Sequence, residues 1–254
     1  MNLNNITLIL GIDRHHLDEL RWSWPTWMRF KPEIRDMPLL VFYDPEETSP
    51  EQADFLNEHP NLRFLPWKMS NARNQREEMI TGFVHVPARE VQTPWYLKLD
   101  TDAIGTGEGP WIKPEWFLPD SQARLPAFIS CKWHYSKPRY VIDLLDDWGD
   151  RTPLLAGRPR LDIPYTSESR RVRHKRVISW IFFGNTEWTR MVSGLADPDG
   201  RLPYPSQDTF LSYCARRLGC HIVRERMAHH YHWSHLRFAS MKARVLEMGL
   251  TPAK

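Results

Sequence analysis

Three short runs, Ile6-Thr7-Leu8-Ile9-Leu10-Gly11-Ile12, Pro38-Leu39-Leu40-Val41-Phe42-Tyr43 and Trp95-Tyr96-Leu97-Lys98-Leu99, are almost continuously apolar, and each breaks at an acid: Asp13, Asp44 and Asp100. A run of five to seven residues that does not alternate apolar with polar fits a strand covered on both faces, as in a parallel sheet. Helical stretches separate these runs, and strands alternating with helices predict a mostly parallel central sheet flanked by helices. Ligands of such a sheet bind outside the strands' C-terminal ends. One acid after a strand is an ordinary turn former. Three on the same edge point to a shared site.

The third run carries the most chemistry, because it continues Asp100-Thr101-Asp102. Side chains alternate along a strand, so Tyr96 and Lys98 lie on one side while Trp95, Leu97 and Leu99 lie on the other. The two carboxylates share one parity and stand about 7 Å apart if the strand continues, closer if it turns. Such a pair suits one hard cation, Mg²⁺ or Mn²⁺, which uses few protein ligands and completes its shell with water and phosphate oxygens.

At 254 residues the chain is long enough for one large α/β domain with a full core, and no second domain is required. A hydrophobic share of 41% with 26% charged residues excludes a disordered chain, and 12 Trp with 21 Pro suggest aromatic-lined clefts and long shaped loops. A net charge of +3 gives only a mild bias towards anions, so no stable nucleic-acid complex is expected. Cys131, Cys214 and Cys220 have no metal spacing and cannot all pair, which fits a reducing compartment. The first apolar run lacks a basic leader and nothing approaches the roughly 18 residues of a spanning helix. The expectation is a soluble, cytoplasmic protein.

Taken in order, the pattern predicts a helix over about Leu17 to Arg29 interrupted by Pro25, and a helix from Ser49-Pro50 to about Glu58. Asn61 to Pro66 reads as a third strand. Ser70-Asn71-Ala72-Arg73-Asn74 opens a further helix with Ser70 as its cap, and Arg73 in a first turn opposes the helix dipole unless an anion binds there. Strands are expected over Ala127 to Trp133, Val177 to Phe183 and Cys220 to Arg224, with a short helix over Val141 to Trp148 and another beginning near Glu187 with Thr186 as its cap. The dense basic run Ser169 to Arg176 reads as a solvated loop or as a flap closing over phosphates. Pro205-Ser206-Gln207-Asp208 starts the clearest helix, stopped by Gly219, and places Asp208 in its first turn. Four histidines follow within seven residues, at 229, 230, 232 and 235.

Together and in this order, these segments resemble the GT-A glycosyltransferases, especially family-2-like enzymes, over roughly residues 5 to 235. Ser70 to Asn74 looks like that family's Ala-Arg-Asn segment and Asp100-Thr101-Asp102 like its DxD. Ile181-Phe182-Phe183-Gly184-Asn185 with the next helix is similar to its acceptor side, and Ser206-Gln207-Asp208 with Tyr213 to Gly219 resembles its Glu-Asp helix. Gln207 stands where a Glu is common, and the Asp44 region lacks the acidic-Gly-Ser continuation.

The resemblance implies a single Rossmann-like GT-A domain over residues 1–254 that moves a hexose from a UDP- or GDP-sugar to an acceptor hydroxyl. Asp102 would ligate the metal directly, and Asp100 would meet the donor ribose or the metal's water shell. His232 is the first choice for a further ligand, which would favour Mn²⁺ over Mg²⁺. Asp13, Asp44, Arg73 and Arg173 complete the donor site, and Asp208 is the candidate base of an inverting reaction. A nucleotidyltransferase and a non-catalytic nucleic-acid or glycan-binding module are the alternatives.

Overall fold

A computed structural model describes residues 2–68, 74–107, 111–131, 135–161, 165–166, 171–174, 181–196, 201–225, 230–232 and 238–254. Its strands are β1 (Ile6–Ile12), β2 (Leu39–Tyr43), β3 (Leu62–Pro66), β4 (Trp95–Leu99), β5 (Ala103–Gly105), β6 (Phe128–Cys131), β7 (Tyr135–Pro138), β8 (Tyr165–Thr166), β9 (Arg171–His174), β10 (Ile181–Asn185), β11 (Ile222–Glu225) and β12 (His230–His232). The helices are α1 (Arg14–Phe30), α2 (Gln75–Glu90), α3 (Arg139–Asp150), α4 (Thr186–Ser193), α5 (Gln207–Arg217) and α6 (Phe238–Glu247).

Seven strands form the central sheet in the order β11-β6-β10-β4-β1-β2-β3. All neighbours pair in parallel except β10, which runs against both β4 and β6. The chain therefore steps outward from β1 to β2 and β3, then crosses to the far side of β1 for β4. That reversal of direction opens a crevice between the C-terminal ends of β1 and β4.

Strict alternation of side chains divides the sheet's two faces. Leu8, Leu10, Val41, Leu97, Leu99, Ile181 and Phe183 pack on one face with Trp24 and Trp27 of α1. Ile9, Phe42, Tyr96, Phe128 and Phe182 pack on the other with residues of α2, α3 and α5. Both faces are covered, which is why the strands read as continuous apolar runs. Much of the tryptophan content fills this core: Trp27, Trp111 and Trp116 are buried, and the rings of Trp27 and Trp111 lie 5.6 Å apart. These three are core side chains and not the lining of a cleft.

Several boundaries differ from the sequence reading for identifiable reasons. The first helix starts at Arg14, capped by Asp13, and runs through Pro25. Proline has no N–H, so the carbonyl of Arg21 loses its helical donor. The backbone N–H of Ala253 takes that place at 2.8 Å. The segment after Ser49 forms 3-10 turns over Pro50–Leu56, broken at Ala53, instead of an α-helix to Glu58. The helix after the Ser70 segment starts at Gln75 with Asn74 as its cap, so Ser70 is not the cap and Arg73 precedes the first turn. The cap of α4 is Asn185, whose side chain accepts from the Trp188 N–H at 3.0 Å, and Thr186 is already helical.

Residues 171–174 of the basic run form the middle strand of a three-stranded antiparallel sheet, β7-β9-β8, and so are not a loop. Residues 169, 170, 175 and 176 lie outside the described residues. Cys214 and Cys220 are free thiols. None of the described helices is long and apolar enough to cross a membrane.

Candidate functional site

β4 ends at Leu99, and Asp100-Thr101-Asp102 turns the chain into β5, closed by a hydrogen bond from Ala103 N to Asp100 O of 3.2 Å. One face of α1 holds this turn. Thr101 Oγ1 donates to Glu19 Oε2 at 2.9 Å, Ser23 Oγ donates to the carbonyl of Thr101, Trp27 Nε1 donates to the carbonyl of Ala103 at 2.7 Å, and Thr26 Oγ1 accepts from Gly105 N at 2.9 Å. Positions 19, 23, 26 and 27 recur at helical spacing, so a single helix stripe holds three alternate residues of the turn and strand, Thr101, Ala103 and Gly105.

The two aspartates differ in surroundings. Asp102 is 6% exposed. Asp100 is partly open, and its carboxylate pairs with the ammonium of Lys98, which is 1% exposed and lies 4.3 Å from the centre of the Phe83 ring. Burial pushes the Lys98 ammonium below its ordinary range, while the charges of Asp100 and Asp102 push it back up.

β12 pairs antiparallel with β5, and its register sets His232 opposite Ala103 and His230 opposite Gly105. The backbone of the histidine segment is thus hydrogen-bonded into the strand that starts one residue after Asp102. α6 backs this ladder from behind, with Met241 and Val245 packed on Ile104.

Asp13 and Asp44 follow the last residues of β1 and β2, on the same edge as Asp100. Both carboxylates hold nearby backbone. Asp13 Oδ1 accepts from the N–H groups of His15 and His16 at 2.8 Å, and Oδ2 lies 2.7 Å from His16 Nδ1. Burial raises the Asp13 carboxyl, but its hydrogen bonds and the His16 charge outweigh that and leave it below the usual carboxylate range. Asp44 Oδ1 accepts from Glu46 N at 2.9 Å and closes the turn after β2.

Asp208 lies in the first turn of α5, capped by Ser206, and is 6% exposed. Its carboxylate accepts from the Ser206 hydroxyl and from Thr209 N. The far end of α5 is anchored by Arg217, which donates to Asp146 Oδ1 at 2.8 Å and to the Tyr213 hydroxyl at 2.7 Å, and also pairs with Asp150. Arg73 lies outside the described residues. The strands that carry Arg173 and His232 are described and their side chains are not.

The donor set is two carboxylates on a tight turn, which matches a hard divalent cation that keeps water or phosphate oxygens in its shell. Among the described residues no group of three His, Cys, Asp or Glu side chains is gathered closely enough to hold a metal, so any third protein ligand comes from elsewhere. Lys98 escaped the sequence reading as a site residue. Its signal was present: a lysine inside an apolar strand, on the same parity as Asp100.

No family model matches the sequence, and no curated protein matches it. Solved structures do match. Core-mannan synthase A from Aspergillus fumigatus, in its Mn/GDP form, aligns over 90% of this chain and 74% of its own with a TM-score of 0.60 and 11% identity. The mannosyltransferase Ktr4p from S. cerevisiae aligns over 90% of this chain and 70% of its own with a TM-score of 0.52 and 9% identity. The chain has the GT-A fold. At these identities the likeness is one of architecture, and a fold hosts functions without specifying them. The GT-A topology puts the turn after β4 at the mouth of the crevice between β1 and β4.

Proposed function

We propose that this chain is a single-domain glycosyltransferase that moves a sugar from a nucleotide-diphosphate donor, a UDP- or GDP-sugar, to an acceptor hydroxyl. The observation that carries the reading is the convergence at one sheet edge: the Asp100–Asp102 turn at the crevice, with β12 paired to β5 so that His232 registers with Ala103. The likeness to a mannan synthase in a Mn/GDP form supports both a nucleotide diphosphate and a divalent cation.

In this reading Asp102 and His232 hold Mn²⁺ or Mg²⁺ at the crevice. When bound, such a cation offsets the charge that builds on the departing diphosphate. Asp13 and Asp44 border the nucleotide, and Arg73 and Arg173 supply further positive charge to its phosphates. Asp208 takes the proton of the acceptor hydroxyl as it attacks the sugar carbon on the side opposite the diphosphate, giving inversion. Packing of α5 through Arg217 fixes the backbone on which that carboxylate stands.

The test is a melting-temperature panel of UDP-, GDP-, CMP- and dTDP-sugars with and without Mn²⁺, followed by product analysis. A ligand that binds only the folded state at about 100 times its Kd adds about 2.7 kcal/mol of stability. The expected result is a shift that needs both Mn²⁺ and a UDP- or GDP-sugar, followed by release of the nucleoside diphosphate when an acceptor is added. Release of pyrophosphate instead would identify a nucleotidyltransferase. Nucleic-acid binding with steep salt dependence and no response to Asp102→Ala would identify a binding module.

A further inference from the structure

Helix α5 ends in a turn that folds one cysteine back towards another. Its cap is Leu218, and Gly219 follows with a φ of 68°. The Gly219 N–H reaches the carbonyl of Arg216 at 3.0 Å, and the Cys220 N–H reaches that of Ala215 at 2.8 Å. These are the two hydrogen bonds of a Schellman stop, in which the side chain of the second residue past the cap packs on the third or fourth residue before it. Cys220 is that second residue, and Cys214 is the fourth before the cap. A charge on Cys220 is accordingly felt at Cys214.

An alanine or valine pair would supply the apolar contact of such a turn. The surroundings of Cys220 add more than that contact needs. Trp188 Nε1 of α4 donates to its Sγ at 2.9 Å. Arg124, which donates to the carbonyl of Gly219 at 3.0 Å, and Arg158 bring positive charge to the thiol. Burial pushes the Cys220 thiol up, and the indole N–H and the two guanidinium groups pull it part of the way back. Cys214 is fully buried and Cys220 half-buried, and both are free thiols. A reagent from solvent therefore meets Cys220 first, with Cys214 behind it. Cys131 stands apart: it pairs with Glu225 at one end of the β6–β11 ladder, whereas Cys220 precedes the other end at Ile222.

We propose that Cys214 and Cys220 form a two-thiol modification site that exchanges with a low-molecular-weight disulfide. The Cys220 thiolate attacks one sulfur of that disulfide, and the other sulfur leaves as a thiolate. The Cys214 thiolate then attacks the Cys220 sulfur of the mixed disulfide and expels the second external thiolate. The two protein thiols give up two electrons and two protons, and the external disulfide takes them up as two thiols. The new bond ties the last turns of α5 to its stop, on the helix whose first turn carries Asp208. None of this depends on glycosyl transfer.

The test incubates the folded wild-type protein with glutathione disulfide, quenches with acid, alkylates the remaining thiols and maps the peptides by mass. The expected product is a bond between residues 214 and 220 that carries no glutathione and is reversed by excess reduced glutathione. Cys214→Ala should halt the sequence half-way, leaving Cys220 as a mixed disulfide with glutathione. Cys220→Ser should slow the oxidation of Cys214 by at least about tenfold, because the thiol that remains is out of reach of the reagent. Thiols that both stay reduced in the folded protein overturn the proposal, as does glutathione attached separately to each of them. So does a bond that forms only once the chain is unfolded in urea, or a folded Cys214→Ala that traps no glutathione. If neither variant folds, the mapping of the wild-type protein decides alone.

Discussion

Replacing Thr101 by valine keeps the volume and branching of the side chain and deletes one hydroxyl. That hydroxyl donates to Glu19 at 2.9 Å, with Thr101 2% exposed and Glu19 3% exposed, so water cannot take over the bond. A hydrogen bond to a charged group contributes about 1.5–3 kcal/mol, and removing the donor beside a buried carboxylate falls in that range. For a chain of this size each kcal/mol corresponds to roughly 2–4 °C in Tm, so Thr101→Val should melt about 3–12 °C lower. Urea unfolding followed by circular dichroism gives the free energy directly. The same loss loosens the turn that carries Asp100 and Asp102, so Mn²⁺ affinity should fall in parallel with stability. A Thr101→Val protein within about 0.5 kcal/mol of wild type would refute the view that α1 holds the turn through this bond.

Asp208→Asn keeps an acceptor for the Ser206 hydroxyl and removes the proton acceptor, so transfer rate should drop by about 10² to 10⁴ with donor binding retained and Tm little changed. A rate within a few-fold of wild type would point to a retaining mechanism or another base. Arg217→Met strands the charge of Asp146, which is 1% exposed, and should cost about 3–5 kcal/mol by chemical denaturation. Asp120 is held down to about 2 by the Arg124 guanidinium and the backbone N–H groups around it. Its folded pKa lies below its ordinary 3.8, so its contribution to stability is present above that value and is lost as pH falls through about 2. Carbon-detected NMR titration should find that low value in wild type and a rise in Arg124→Ala.

The parallel half of the sheet was legible because β1, β2 and β4 are buried on both faces, which leaves a mark in composition alone. The acids at their ends were legible for the same reason: an apolar strand that stops at a carboxylate marks its own C-terminal edge. The reversed direction of β10 left no such mark, since Ile181-Phe182-Phe183 is equally apolar whichever way it runs. Helix α1 was read as interrupted because Pro25 breaks a helix locally, and the donor that replaces its missing N–H at Arg21 comes from position 253, more than 200 residues away. The strand at residues 171–174 was hidden by its charge, since pairing on both sides is a property of β7 and β8. Asp13 and Asp44 were read as donor-binding residues by position, and what position alone does not reveal is that each carboxylate also holds backbone N–H groups just after its strand, Asp13 meeting the His16 imidazole as well. Lys98 was visible as a letter and not as a partner, because pairing depends on how the turn folds back.

Pro25 divides the contacts that α1 makes with the Asp100–Asp102 turn and the strand after it. Glu19 and Ser23, before the proline, grip Thr101, whereas Thr26 and Trp27, after it, grip Ala103 and Gly105. A helix lacking one backbone hydrogen bond resists bending less at that point, and a bend there would shear the Asp100–Asp102 turn against the ladder of β5 with β12. The bond from Ala253 to Arg21, returned at 3.4 Å by the Arg21 guanidinium, braces the helix at the missing bond. The stiffness of the carboxylate pair is then adjustable from residues that never approach the crevice, and changes near position 253 would retune the site without altering any group in it.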